Sequence, residues 1–284
     1  MAFACPACEQ TTVDLVEITD DAQTRLRCRS CRHDWLHSRQ PEPVPASSRG
    51  ASPARHSRLS RDQAKAQFPT EDDLTDAVRT RVAELKRRFL VRQPEADPAV
   101  APYWRRYQHI FSAEGLPTAH PADLKAFANN RIGANPGNMS VFNDAWNKLG
   151  SHEAADRVRS AVEYLLRGTR EPHIEDRMQT LIDPRSPVGV TGFRESLLTR
   201  VLCIVQPDRF LPILTYTSPA GGKREIAAAV FGLELPAPQT TSMTTGRLAF
   251  WSNDLLLRLC GTGFADVAHA SQFLWWAKDE PSKP

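Results

Sequence analysis

From residue 70 onward, apolar side chains recur every three to four positions, the spacing that lines them along one face of an α-helix. The clearest case begins at Thr70, which offers a cap. Glu71, Asp72 and Asp73 follow in the first turn, and Leu74, Val78, Val82, Leu85 and Phe89 share a face. Lys86, Arg87, Arg88 and Arg92 collect at the far end, so acid and base each sit where the helix dipole favours them. Similar periodicity predicts helices near 100–113, 121–130, 139–149, 152–167, 173–182, 192–205, 222–231, 246–260 and 263–277. Gly133, Gly150, Gly168, Gly192, Gly232 and Gly261 separate them. Residues 70–284 are therefore expected to form one α-helical domain without internal repeats.

The first 37 residues follow a different pattern. Residues 11–18 have strand composition, Asp20 and Asp21 suit a turn, and residues 24–27 lead back toward Cys28. Two Cys-x-x-Cys pairs bracket this hairpin: Cys5 with Cys8, and Cys28 with Cys31, with 19 residues between Cys8 and Cys28. Paired tight turns each supply two thiolates, the donor set of a closed structural zinc site, so one structural Zn²⁺ is expected on Cys5, Cys8, Cys28 and Cys31. The competing reading, a redox dithiol, needs a βαβ context that is missing. The expected fold is a mainly α-helical body with a small N-terminal β zinc ribbon.

Between these parts, residues 38–69 carry Pro41, Pro43, Pro45, Pro53 and Pro69 among Ser, Arg and Ala. They lack the periodicity needed to recover the entropy of ordering, so a disordered linker is expected.

Charge refines the picture locally rather than globally. The formal net charge is +3, and four thiolates on one Zn²⁺ would lower it to about +1. From Arg25 to Phe68, however, ten Lys and Arg stand against three acids, a local net of +7. Arg25, Arg27, Arg29 and Arg32 crowd the second cysteine pair, with Trp35 beside them. Such a basic arm attracts phosphates, and an aromatic among the arginines can stack a base, so DNA or RNA is the expected partner. The bland reading is that the arginines solvate a tiny hairpin and Trp35 packs over the metal. Ribbons written Cys-Pro-x-Cys, hairpin, Cys-x-x-Cys-x-x-x-Trp also resemble those of transcript-cleavage elongation factors. Asp20 and Asp21 do not reproduce that family's acidic motif, and turns recruit Asp for ordinary reasons.

Catalytic patterns are wanting. Residues 218–224 suggest a phosphate loop, but position 217 is Thr rather than Gly, and Arg224 replaces the required Ser or Thr. His152-Glu153-Ala154-Ala155-Asp156 has Asp where a zinc protease needs its second His. Pro207-Asp208 lacks the downstream acids of a metal nuclease, and Phe210, Leu211, Pro212 and Ile213 read as packing. Residues 129–147, rich in Asn and Gly, are either a polar pocket or ordinary loop geometry. Tyr103, Trp104 and Tyr107 with Arg105 and Arg106 either extend a nucleic-acid surface or, the preferred reading, place the aromatics in the core and the arginines toward water.

A longer resemblance runs through the body. Residues 129–137, Asn-Asn-Arg-Ile-Gly-Ala-Asn-Pro-Gly, precede Phe142-Asn143-Asp144-Ala145-Trp146; residues 192–202 run into Gln206-Pro207-Asp208-Arg209-Phe210-Leu211-Pro212-Ile213; and Ser271-Gln272-Phe273-Leu274-Trp275-Trp276 closes the chain. Over roughly 100–278 this order of motifs resembles the helical region ahead of the AAA+ module in McrB-like, modified-cytosine restriction proteins. The family's nucleotide-binding motor is absent here. The resemblance implies a recognition or adaptor part in bacterial DNA restriction or phage defence, acting beside a motor or nuclease subunit, and it transfers no catalytic residue.

No stretch of 18 apolar residues and no secretory leader is evident, so a cytoplasmic protein with no membrane partner is expected. The alternatives to nucleic-acid binding are a ribbon that clasps a protein partner and an enzyme whose site carries no recognised motif.

Overall fold

The computed structural model describes residues 6–8, 13–18, 23–28, 30–38, 59–169, 171–239 and 241–280, with backbone alone for 13–26 and 36–38. The chain divides into two units, Met1–Ser57 and Arg58–Pro284.

In the first unit, strands β1 (Val13–Ile18), β2 (Gln23–Cys28) and β3 (Asp34–Ser38) pair antiparallel in the order β1-β2-β3. Val13 stands opposite Cys28, and Arg27 opposite Asp34. The third strand was not anticipated: residues 34–38 were divided between ribbon end and linker. Asp20 and Asp21 lie outside the described residues.

The second unit is helical. Its helices are α1 (Arg61–Ala66), α2 (Asp76–Arg92), α3 (Val100–Ile110), α4 (Pro121–Asn129), α5 (Ser140–Leu149) and α6 (Ser151–Arg167). They are followed by α7 (Ile174–Ile182), α8 (Glu195–Val205), α9 (Lys223–Phe231), α10 (Thr245–Cys260) and α11 (Val267–Asp279). Nine of the predicted helical stretches match α3 to α11 within a few residues.

Two boundaries differ from expectation. Thr70 caps only a 3₁₀ turn, Glu71–Asp73, and α2 starts afresh behind Thr75, whose hydroxyl accepts from the Val78 N–H. The body also begins before residue 70, correcting the expected linker end. Ser60 and Gln63 form a reciprocal capping box that starts α1, Ala64 is fully buried, and Phe68 meets Trp251 edge-on at 5.8 Å. A short helix is marginal alone, and burying two apolar residues against the body supplies what local propensity lacks. Residues 39–58 lie outside the described residues.

α8 sits at the centre, with Leu197, Leu198, Val201, Leu202 and Ile204 all buried. Around it, basic side chains tie helices to loops through backbone carbonyls. Arg177 donates to Leu165 O (3.0 Å), Thr169 O (2.6 Å) and Pro172 O (3.2 Å). Arg167 reaches Phe111 O at 3.0 Å, Arg224 reaches Leu235 O at 2.9 Å, and Lys86 reaches Cys260 O at 2.8 Å. A loop carbonyl without a ladder partner must be satisfied somehow, and guanidinium forks do this with several bonds at once. Much of the body's positive charge is therefore structural. No helix among the described residues is long and apolar enough to cross a membrane.

Candidate metal centre

Cys28 ends β2, Cys31 follows across a tight turn, and Cys8 arrives from the turn at residues 6–8. The turn is closed by Arg32 N–H donating to Cys28 O and Cys28 N–H donating to His33 O, each at 3.0 Å. These contacts bring the sulfurs of Cys8, Cys28 and Cys31 within 4.8 Å of one another, with Cys8 and Cys28 at 3.5 Å. Thiolates about 2.3 Å from a tetrahedral ion stand about 3.8 Å apart, so the three sulfurs lie close enough to hold a metal ion. Cys5, the fourth expected ligand, lies outside the described residues.

Electrostatics favour the ligating form. The Cys28 thiol is lowered to about 6, chiefly by the Cys31 backbone N–H; the Ser30 N–H and the neighbouring thiols of Cys8 and Cys31 add to this, and burial opposes it. A thiol in that range is a thiolate at neutral pH, the state a metal demands.

The residues expected to contact nucleic acid divide. Arg27 forms a two-pronged ion pair across the strands with Asp34, at 2.6 and 2.8 Å. Trp35 is half-buried, its ring nearly parallel to His33 with centroids 6.3 Å apart. Arg32 is exposed and holds a left-handed backbone, φ 60°, the one non-glycine to do so among the described residues. Of Arg25 only the backbone is described, and Arg29 lies outside the described residues.

In the body, the rejected motifs stay rejected. Lys223, which a phosphate loop would turn toward its ligand, is fully buried, and its Nζ makes no hydrogen bond among the described residues. His152 and Glu153 are exposed at the start of α6, with Glu153 paired to Arg157 at 2.7 Å. Tyr103, Trp104 and Tyr107 are buried, Arg105 is exposed, and Arg106 pairs with Asp123 at 2.6 Å, as the sequence suggested.

Three buried cations were missed: Arg177 of α7, described above, Arg200 and Lys223. Arg200 lies on the packed side of α8, and Lys223 shares its face of α9 with Ile226, Ala227 and Val230. The signal was present in helical spacing: Lys223, Ile226, Ala227 and Val230 stand at i, i+3, i+4 and i+7, so the lysine belongs to the apolar stripe. The chain matches no protein-family model, no curated protein and no solved structure.

Proposed function

We propose that the first unit is a zinc ribbon, with one structural Zn²⁺ on Cys5, Cys8, Cys28 and Cys31, that binds DNA or RNA through its arginines. Arg32 carries this reading. A left-handed backbone costs a side-chain-bearing residue about 1 kcal/mol that glycine avoids, and such strain collects where a side chain is needed. An exposed guanidinium held beside a metal turn is well suited to a phosphate. Arg25 and Arg29 would add to the field, Trp35 offers a ring for a base, and Arg27 would contribute only by exchanging Asp34 for a phosphate. The helical body, by its resemblance to the region ahead of McrB-like motors, would serve as the recognition or adaptor part of a restriction or defence system.

Arg32→Gly tests the reading because stability and binding should part company. Zinc content should stay at one per chain and the turn should hold or gain about 1 kcal/mol. Fluorescence anisotropy with labelled single- and double-stranded DNA and RNA should show weaker binding, with the salt slope reduced by about one. Wild-type affinity in the glycine variant would remove Arg32 from the interface. Absence of salt-dependent binding by the native chain would end the nucleic-acid reading in favour of a protein-binding ribbon.

A further inference from the structure

Three stretches with no role in the metal centre converge on one cleft of the helical body, with a volume of about 580 Å³. One wall is a single stripe of α11: Ala268, Ser271, Gln272 and Trp275, at i, i+3, i+4 and i+7. Phe273, Leu274 and Ala277 of the same helix are buried, so α11 gives one face to the core and another to the cleft. Small residues at 268 and 271 leave room, while Gln272 and Trp275 frame it.

The second wall is the loop 131–137, which is held firmly. Arg200 binds the Ile132 carbonyl of this loop and the Asn130 carbonyl just ahead of it, and Gly133, at φ 78°, packs where a Cβ would stand 2.7 Å from the Trp104 indole nitrogen. The third is Ser218–Gly221: Lys278 donates to Ala220 O at 2.9 Å, and Gly221, at φ 121°, leaves space for the Trp275 ring. Pro212 and Leu214, both buried, contribute apolar surface.

Arg131 sets the chemistry. It is exposed on the rim, makes no ion pair or hydrogen bond recorded among the described residues, and also borders a second cleft of about 530 Å³ that carries Asn129, Asn138 and Asn143. Arg167, Arg177, Arg200 and Arg224 are tied down by carbonyls, whereas Arg131 shares a cleft with a half-buried tryptophan and apolar side chains. Asp97, also on the rim, supplies a carboxylate acceptor for hydroxyls. Pockets of about 300–1,000 Å³ with a few convergent polar groups are the usual seat of small ligands.

We propose that this cleft binds a mononucleotide unit: a planar base against Trp275, ribose hydroxyls toward Asp97 and a phosphate on Arg131. The ligand chemistry is shared by a free nucleotide and by a nucleotide within a strand. The proposal concerns the helical body alone and does not depend on the ribbon.

The test is calorimetric titration of the full-length chain with AMP, GMP, CMP and UMP, the matching nucleosides, inorganic phosphate and a dinucleotide. At least one mononucleotide should bind with Kd below about 1 mM and at least about tenfold more tightly than its nucleoside or phosphate alone. Arg131→Ala should remove the advantage over the nucleoside, and Trp275→Leu should weaken both, each variant retaining native helical circular dichroism. Arg32→Gly should leave this binding unchanged, which separates it from the ribbon. A tighter Arg131-dependent dinucleotide would identify a strand as the source, and equal affinity a free nucleotide. No binding at about 5 mM, phosphate binding as well as the nucleotides, or indifference to Arg131→Ala would each overturn the proposal.

Discussion

The guanidinium of Arg200 donates to the carbonyl of Asn130, 70 positions earlier, at 2.5 Å. The same group also binds Phe127 O at 2.7 Å and Ile132 O at 3.0 Å. Tyr103 and Phe127 lie 5.3 and 5.2 Å from its charge centre, adding cation–π contacts. One side chain on α8 thus fixes the end of α4 and the loop that walls the cleft.

Arg200→Met should therefore destabilise the body by about 3–5 kcal/mol, because one buried and two partly buried carbonyls lose their donor. Arg200→Lys keeps the charge but not the fork, and should cost about 2 kcal/mol. Urea unfolding followed by circular dichroism reads both. Equal stability of the lysine variant and the native chain would show that charge, not fork geometry, holds the loop.

Two glycines with similar φ angles should respond differently to a methyl group. Gly192 has φ 86°, and a Cβ there would stand 2.5 Å from Phe142 N and 2.7 Å from its Cα. Gly150 has φ 82° with nothing within 4 Å. Gly150→Ala should cost only the strain of its backbone, φ 82° and ψ 154°, about 1–3 kcal/mol, and Gly192→Ala should cost more again because the Phe142 backbone must move. Thermal melts of the two variants give the comparison, and similar losses would locate the cost in φ rather than in space.

Lys223 predicts an alkaline limb in stability. Burial holds its ammonium below the ordinary lysine value, while Glu195, Cys203 and Asp254 push the other way. Between its folded pKa and the unfolded value of about 10.4, the unfolded chain binds more protons, so stability contributed at this site rises with pH and then levels off. The melting temperature of the native chain minus that of Lys223→Met should climb as pH rises toward about 10. Glu195 has the opposite sign: burial raises its pKa, so its contribution falls as pH rises above about 4.3. Cys203, raised to about 12 by burial, erodes stability above about 8.5 in both proteins and largely cancels in the difference. A flat difference curve would show that Lys223 reaches solvent.

Thiol chemistry should separate the two units. Cys203 and Cys260 are buried, their thiols pushed up to about 12, so both should resist a disulfide reagent at pH 8 in the folded chain. Chelation should release about one zinc per chain and make the N-terminal cysteines reactive, while the helical signal of the body persists. Cys28→Ser should lose the zinc without chelator. Rapid labelling of Cys203 or Cys260 before unfolding would contradict the packing of α8 and α10.

The sequence disclosed the helices because each buries one stripe, and apolar spacing records a stripe directly. Lys86, Arg177 and Arg200 were opaque for the converse reason. A cation bound to carbonyls many residues away has no local signature, and its charge reads as surface. α1 was hidden by length: six residues among Pro, Ser and Arg offer no full period, and only Trp251, nearly two hundred positions on, explains Phe68. The approach of Cys8, Cys28 and Cys31 was legible because a Cys-x-x-Cys turn is local. The cleft was legible only in part: residues 129–147 offered a polar pocket, but its other walls come from a loop more than 80 positions away and from a face of α11 shared between two purposes.

The guanidinium-to-carbonyl ties have one more consequence. A guanidinium does not titrate in proteins, so these ties should hold across the pH range in which Lys223, Glu195 and the thiols respond. Acid and alkali leave them alone, but dicarbonyl reagents such as phenylglyoxal do not: an adduct removes the donors altogether. Buried Arg177 and Arg200 would resist until the fold breathes, while half-exposed Arg167 and Arg224 react sooner. The order in which these arginines are modified would thus chart which helix-to-loop ties open first.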